Sequence, residues 1–326
     1  MKSKTKNTKT RSQIDAMVAK AFGGMRLAAS DDAVRELSDG WFNAAYDIRL
    51  ADGREVILKI APPGDAEVMQ YEKHIMATEI ASMRLVRQNP AIPVPEIYFF
   101  DDARDVCDSQ YFFMEKIIGD CLEHVKASLP PDTQASLERQ VGQIIRAVNT
   151  FTGTYFGYDG NPDLRASTWK EAFITIVESV LEDGARKNAV YGYDVDEVRA
   201  VVMHHASALE EITTPYLVHW DAWDLNFFVR DSRIVGLIDF ERALWADPLI
   251  EAHFRSLSFG AGVTDTMRGY GKTSFTAAEE QRCWLYMLHL ALVMNTECYY
   301  RNYDTDSIYT TSMGFIDTSM KWLTAS

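Results

Sequence analysis

The residues with the clearest chemistry lie in 217–241, LVHWDAWDLNFFVRDSRIVGLIDFE. His219-Trp220-Asp221 leads, five residues beyond Asp221, to Asn226; a short apolar hairpin pattern follows, then Ile238-Asp239-Phe240. Phosphoryl transfer from a nucleoside triphosphate needs these residue types in this order. One carboxylate, Asp221, accepts or orients the proton of an attacking hydroxyl. An amide oxygen, from Asn226, and a second carboxylate, Asp239, hold Mg²⁺ against the triphosphate. Any one of these is an ordinary turn residue; together, at these spacings and flanking two strands, they point to catalysis. His219 suits a supporting role, ordering the loop by a hydrogen bond to backbone. Asp224 is expected to be solvated or near substrate, without a catalytic part.

The order H-x-D-x-x-x-x-N, strand, D-F is similar to the catalytic loop and metal segment of protein kinases. That likeness directs attention to Lys59 in the run Val56–Ile60. A lysine inside an apolar strand must send its ammonium to a polar partner. In a kinase it touches the α- and β-phosphates and pairs with a helix glutamate. Glu72 and Glu79 lie seven residues apart, on nearly one helix face. The layout favours Glu79, with Glu72 as the alternative. Before the first hairpin strand comes Leu37-Ser38-Asp39-Gly40-Trp41-Phe42-Asn43, with a single glycine. By position Ser38 and Asn43 would cover the phosphates; by composition the stretch reads equally as a β-turn. Met114-Glu115-Lys116-Ile117 follows an apolar strand, where Glu115 and Ile117 would offer backbone groups to a purine. Gly271-Lys272-Thr273 imitates the end of a phosphate-binding loop, but Thr266 stands where its first glycine belongs and no strand precedes it.

Several elements must position these residues. The pattern predicts a helix over 13–22, stopped by Gly23-Gly24. It predicts strands over 44–50 and 55–60 joined by an Asp52-Gly53 turn. One long helix is expected over 66–88, with Val68, Tyr71, Ile75, Met76, Ile80, Met83 and Val86 on a buried face. Strands at 96–100 and 110–114 follow. Beyond Gly119 the chain turns helical, around 133–150, 168–184, 194–211 and 276–301, with later strands near 227–229 and 234–238. The expected fold class is α+β and bilobal: a small lobe of antiparallel sheet and long helix, then a large, mainly helical lobe. The divisions are 1–11, a disordered basic tail; 12–115, a nucleotide-binding lobe; and 116–326, a catalytic and substrate-binding lobe, with the boundary near 115–119.

Composition narrows the partners. A 326-residue chain, 47% hydrophobic and 12% aromatic, has material for sizeable cores. No apolar run approaches the ~20 residues of a membrane span, and the basic N-terminus lacks the apolar stretch of a secretory signal. Cys107, Cys121, Cys283 and Cys298 are scattered, so reduced thiols in the cytoplasm are expected. Net charge is −14. Setting aside the first eleven residues leaves 28 basic against 47 acidic, or −19. Such a body disfavours nucleic acid and would attract a cation, although solubility alone explains much of the charge. The aromatic residues Trp284, Tyr286, Tyr299, Tyr300, Tyr303 and Tyr309 read mainly as helix core, with one or two available to a cationic ligand.

Over residues 13–300 the chain resembles the aminoglycoside phosphotransferases and their choline-kinase-like relatives. The resemblance rests on HWDAWDLN, LIDFE, Ala246-Asp247-Pro248, Leu58-Lys59, Ile92-Pro93-Val94-Pro95 and Met114-Glu115. It implies a kinase-like fold, ATP or else GTP as donor, Mg²⁺, and a small hydroxyl-bearing acceptor. It also implies a buttressing role for Asp247. Two departures matter. Trp220 replaces the glycine usual before the catalytic aspartate, bulk that could narrow or reshape the acceptor site. Glu241 follows Asp-Phe where protein kinases have glycine, and no activation loop separates Glu241 from Asp247; both argue against a protein kinase. The reading is a small-molecule kinase, monomer or homodimer, acting on a cationic acceptor such as an aminoglycoside or amino alcohol. The alternatives are a nucleotide-binding pseudoenzyme and a kinase of a neutral sugar or other hydroxylated metabolite.

Overall fold

The structure, a computed structural model, describes residues 6–37, 42–255, 260, 262–303 and 305–325. The strands in chain order are β1 Val34–Leu37, β2 Ala44–Arg49, β3 Glu55–Ile60, β4 Ile97–Asp101, β5 Tyr111–Glu115, β6 Asp120–Cys121, β7 Phe156–Gly157, β8 Arg165–Ala166, β9 Tyr216–Val218, β10 Phe227–Arg230, β11 Arg233–Leu237 and β12 Leu244–Ala246. The α-helices are α1 Arg11–Ala21, α2 Ile75–Val86, α3 Leu122–Val125, α4 Pro131–Val148, α5 Trp169–Lys187, α6 Val195–His205, α7 Ala252–Arg255, α8 Asp265–Tyr270, α9 Ala277–Arg301 and α10 Ser307–Ala325. The fold is α+β, with an N-terminal antiparallel sheet and a helical C-terminal part.

Two compact units divide the described residues. The first takes those of Met1–Glu67, Pro95–Ile118 and Arg301–Thr305. Its sheet runs β1-β2-β3-β5-β4, antiparallel throughout. Side chains alternate across it: Val56, Leu58 and Ile60 of β3 join Ala44, Tyr46 and Ile48 of β2 in one core with Ile14, Met17 and Val18 of α1. The opposite face carries Ile57 and Lys59. The β2–β3 hairpin closes through Gly53 at φ 90°, where a residue without Cβ is at ease. The expected disordered tail over 1–11 needs correction for residues 6–10. Asn7 is buried, its amide donating to Ser109 and Asp108, and the Lys9 amide donates to the Tyr46 hydroxyl. Thr10 caps α1 in a reciprocal capping box with Gln13. These polar anchors gave no hydrophobic signal.

The second unit takes the described residues of Val68–Val94, Gly119–Tyr300 and Asp306–Ser326. The segment 68–94 therefore belongs with the helices and not with the sheet, unlike the expected division at 115. The helix expected over 66–88 is also broken. Gln70–Glu72 is a 3₁₀ turn, His74 adopts φ 53°, and α2 starts only at Ile75. The Met69 amide donates to the Glu72 carboxylate at 2.8 Å, a local bond that competes with continuing the helix. Two small sheets, β11-β10-β6 and β8-β7-β12-β9, position the segment 219–241. Helices α4 and α8 cross at backbone distance because Gly142 and Gly269 face them: a Cβ on Gly142 would stand 1.9 Å from the Thr266 carbonyl. No described helix is long and apolar enough to cross a membrane. None of the four cysteines is in a disulfide.

Candidate active site

Strand β9 ends at Val218 and delivers His219–Asn226 as a tight loop; the β10–β11 hairpin then delivers Ile238 and Asp239 beside it. The loop is tied to itself. The Asp221 carbonyl accepts from the Trp223 amide at 2.9 Å and from Asn226 Nδ2 at 2.7 Å. With its NH₂ group so committed, Asn226 keeps Oδ1 as a ligand atom. The Ile238 amide donates to the Asn226 carbonyl at 3.1 Å, and His219 Nε2 is 2.9 Å from the Ile238 carbonyl. Asp239 sits at φ 72° and opens the 3₁₀ turn Phe240–Arg242.

Asp239 lies with Glu79 and Glu241, one carboxylate oxygen from each falling within 4.8 Å of the others. Hard oxygen donors at this spacing suit Mg²⁺, so Glu79 of α2 converges on the metal-capable aspartate. Glu241, given no site role from sequence, belongs to the same group. Glu72 is engaged locally, accepting from the Met69 amide and the Tyr71 hydroxyl.

Asp221 is half-buried. Burial pushes its carboxyl above the ordinary range; Arg242 opposes this and the charge of Asp239 adds to it. Its backbone setting comes from residues that sequence reasoning did not single out. Glu251, fully buried, accepts from the amides of Trp220 at 3.0 Å and Ala222 at 3.1 Å. Arg255 Nη2 donates to the Trp220 carbonyl at 2.8 Å. Burial lowers the Arg255 pKa to about 10, against the pull of Glu251 and Asp221.

Trp220 occupies φ 72°, which explains the glycine usual there. A side chain in that region costs on the order of 1–3 kcal/mol, and Glu251 and Arg255 hold the backbone in it. The indole's bulk, expected to narrow or reshape an acceptor site, lies inside the fold. It is 1% exposed, turned inward, with the guanidiniums of Arg255 and Arg242 at 4.4 and 5.1 Å from its ring centre. Arg242 is itself fixed by Glu297 at 2.7 Å, which also accepts from the Tyr71 hydroxyl.

Asp247 is buried and saturated: it accepts from Arg282 Nε at 2.9 Å, the Tyr286 hydroxyl at 2.7 Å and the Leu249 amide at 3.0 Å. Tyr286 in turn accepts from Trp169 Nε1 at 2.7 Å. Of the aromatic residues considered for a cationic ligand, Tyr286 and Tyr300 are buried, and Trp284 stacks on Trp322 at 5.1 Å. Asp224 pairs with Lys126 at 2.7 Å, so it is engaged and not simply solvated.

In the first unit Lys59 is half-buried on the sheet face opposite the core, cross-strand from Ala45 and Phe112. Asn43 is buried immediately before β2. The Glu115 amide donates to the Glu96 carbonyl at 2.8 Å, and Ile117 is half-buried two residues on. Ser38 lies outside the described residues.

Comparison with known proteins follows the same lines. A curated relative, a subtelomeric hrmA-associated cluster protein of Aspergillus fumigatus, is 26% identical over 125 residues, 38% of this chain; the matched part spans only 24% of that relative's length. Among solved structures, a candidate fructosamine-3-kinase from Haemophilus somnus 129PT superposes with a TM-score of 0.67 at 18% identity, covering 94% of this chain and 96% of that one. Aminoglycoside phosphotransferase APH(4)-Ia, in ternary complex with ADP and hygromycin B, superposes with a TM-score of 0.64 at 15% identity, covering 95% and 98%. A sequence model of the APH family, described as a phosphotransferase enzyme family, matches residues 33–271. The chain belongs to the APH phosphotransferase enzyme family.

Proposed function

We propose that this protein transfers the γ-phosphate of ATP, with GTP as the other candidate donor, to a hydroxyl of a small molecule. The observation that carries the reading is the loop in which Asp221, Asn226 and Asp239 are brought together, with Glu79 and Glu241 beside Asp239. Asp221 receives or orients the acceptor's proton. Asn226 Oδ1 and the Asp239 carboxylate hold Mg²⁺, with Glu79 and Glu241 close enough to share in it. The bound ion supplies charge neutralisation on the triphosphate. Lys59 keeps the phosphate-binding role suggested by its strand, Asn43 and Ser38 the covering role, and Ile117 with the Glu115 carbonyl the base contact. His219 and Asp247 hold the loop and its surroundings. Most of the rate enhancement comes from positioning and fixed charge.

For the acceptor, the net charge of −14 favours a cation. Aminoglycosides and fructosamines, the classes in the names of the structural neighbours, are both hydroxylated amines. The deciding experiment is a screen of ATP consumption against hygromycin B and other aminoglycosides, fructosamines, amino alcohols and neutral sugars. Acceptor-dependent turnover lost in Asp221→Ala supports the reading. Turnover that survives Asp221→Ala removes Asp221 from the mechanism, and a neutral sugar as best acceptor refutes the cationic class.

A further inference from the structure

Trp223 and Leu225 sit two and four residues beyond Asp221 and are 38% and 45% exposed. Among the described residues six large apolar side chains are exposed, and two of the six fall within this single turn. Scattered exposure of such residues is ordinary; a tryptophan and a leucine beside the proposed base is a patch with a use. The turn that presents them is stiff. The Trp223 amide donates to the Asp221 carbonyl, Asp224 between them is clamped by Lys126, and the Leu225 carbonyl accepts from Cys121 Sγ at 3.5 Å.

We propose that Trp223, with Leu225 beside it, is the platform on which a ring of the acceptor lies when its hydroxyl meets Asp221. This rests on the phosphotransferase reading and deepens it by naming the substrate's shape. An indole held at the mouth of the loop offers a flat apolar surface to the carbon face of a sugar or cyclitol ring. Its electrostatics select further. Arg255, wholly buried, stands 5.6 Å from the Trp223 ring centre and so lies on its inward side. A guanidinium behind the ring opposes an ammonium in front of it. The platform therefore takes the uncharged face of the ring, and the acceptor's amino groups project from the ring's edge. An acyclic amino alcohol has no such face to offer.

The test is steady-state kinetics of the full chain with hygromycin B, fructoselysine, choline and ethanolamine as acceptors. Native protein should prefer a ring-bearing acceptor. For that acceptor, Trp223→Ala should raise KM by about tenfold or more while KM for MgATP moves by less than about twofold; Trp223→Phe should recover most of the loss, and Leu225→Ser should give a smaller rise. An unchanged acceptor KM in Trp223→Ala overturns the platform, as does an equal rise in both KM values, which marks a merely structural residue. Choline or ethanolamine as the best acceptor also overturns it while leaving the phosphotransferase reading intact. No acceptor-dependent turnover with any of the four overturns the platform, and none across the wider acceptor screen takes the phosphotransferase reading down as well.

Discussion

Two buried polar networks in the second unit are built alike and finished differently. Around Asp247 every group is matched: the carboxylate takes three donors, Arg282 also reaches the Ala208 carbonyl and Glu211, and Tyr286 links Asp247 to Trp169. Around Trp220 the matching stops halfway. Glu251 is fully used, yet Trp220 Nε1, Arg255 Nε and Nη1 and both ring nitrogens of His289 are buried with no partner among the described residues. His289 packs edge-on against Trp220, 6.0 Å between centres, so these groups adjoin. An unmatched buried polar group costs on the order of 1–3 kcal/mol. The first network behaves as scaffold. The second leaves donors unmatched where it holds two arginines against the loop that carries Asp221.

The comparison can be broken at several points. The largest effect belongs to the proposed chemistry: Asp221→Ala should lower kcat at least about a thousandfold, with MgATP affinity held within a few fold. Equal loss of nucleotide binding would assign Asp221 to the donor instead. Asp239→Ala should shift the Mg²⁺ titration of activity to higher concentration, and Asn226→Ala should do so more weakly; a native titration curve in Asp239→Ala would remove it as ligand.

Stability separates the networks directly. Arg282→Met strands the buried Asp247 carboxylate and should cost about 3–5 kcal/mol in denaturant unfolding. Arg255→Met loses the bond to the Trp220 carbonyl but removes two unmatched donors along with the charge, so its net cost should be about half of that or less. Equal costs would erase the distinction drawn here.

The smallest effect is a pH dependence. Burial, with Arg255 and Arg242 adding to it, lowers the His289 pKa to about 3. The unfolded chain then binds a proton that the native state refuses from about pH 6.5 downward, and stability falls as pH falls through that window. In His289→Gln this component vanishes. The stability difference between variant and native protein should therefore move in the variant's favour by up to about 1.4 kcal/mol per pH unit below 6. Parallel stability–pH curves would show that His289 titrates normally.

Much of the site was legible because its signals are local. The spacing from Asp221 to Asn226 to Asp239 is a matter of one loop and one hairpin, and the Asp52-Gly53 turn announces its strands. Glu251 and Arg255 were not legible: they act on Trp220 from 31 and 35 residues away, and nothing in their own neighbourhood marks them. Nor was the setting of Trp220, since a bulky residue argues against positive φ unless its partners are known. Helix α10 escaped notice because its buried face includes Ser312 and Ser319 among Ile316, Met320 and Leu323, which blurs the apolar stripe. His74, at φ 53°, interrupts what the hydrophobic pattern carried straight through, and α2 begins only after it.

The left-handed backbone at Trp220 also bears on how this sequence can change. A glycine there would relax the backbone and leave a void the size of an indole between two guanidiniums, so the exchange carries terms of opposite sign. Which term dominates depends on whether Arg255 and Arg242 are present to fill or line that void. Substitutions at 220, 242 and 255 are therefore expected to be contingent on one another, open as a group and closed one at a time.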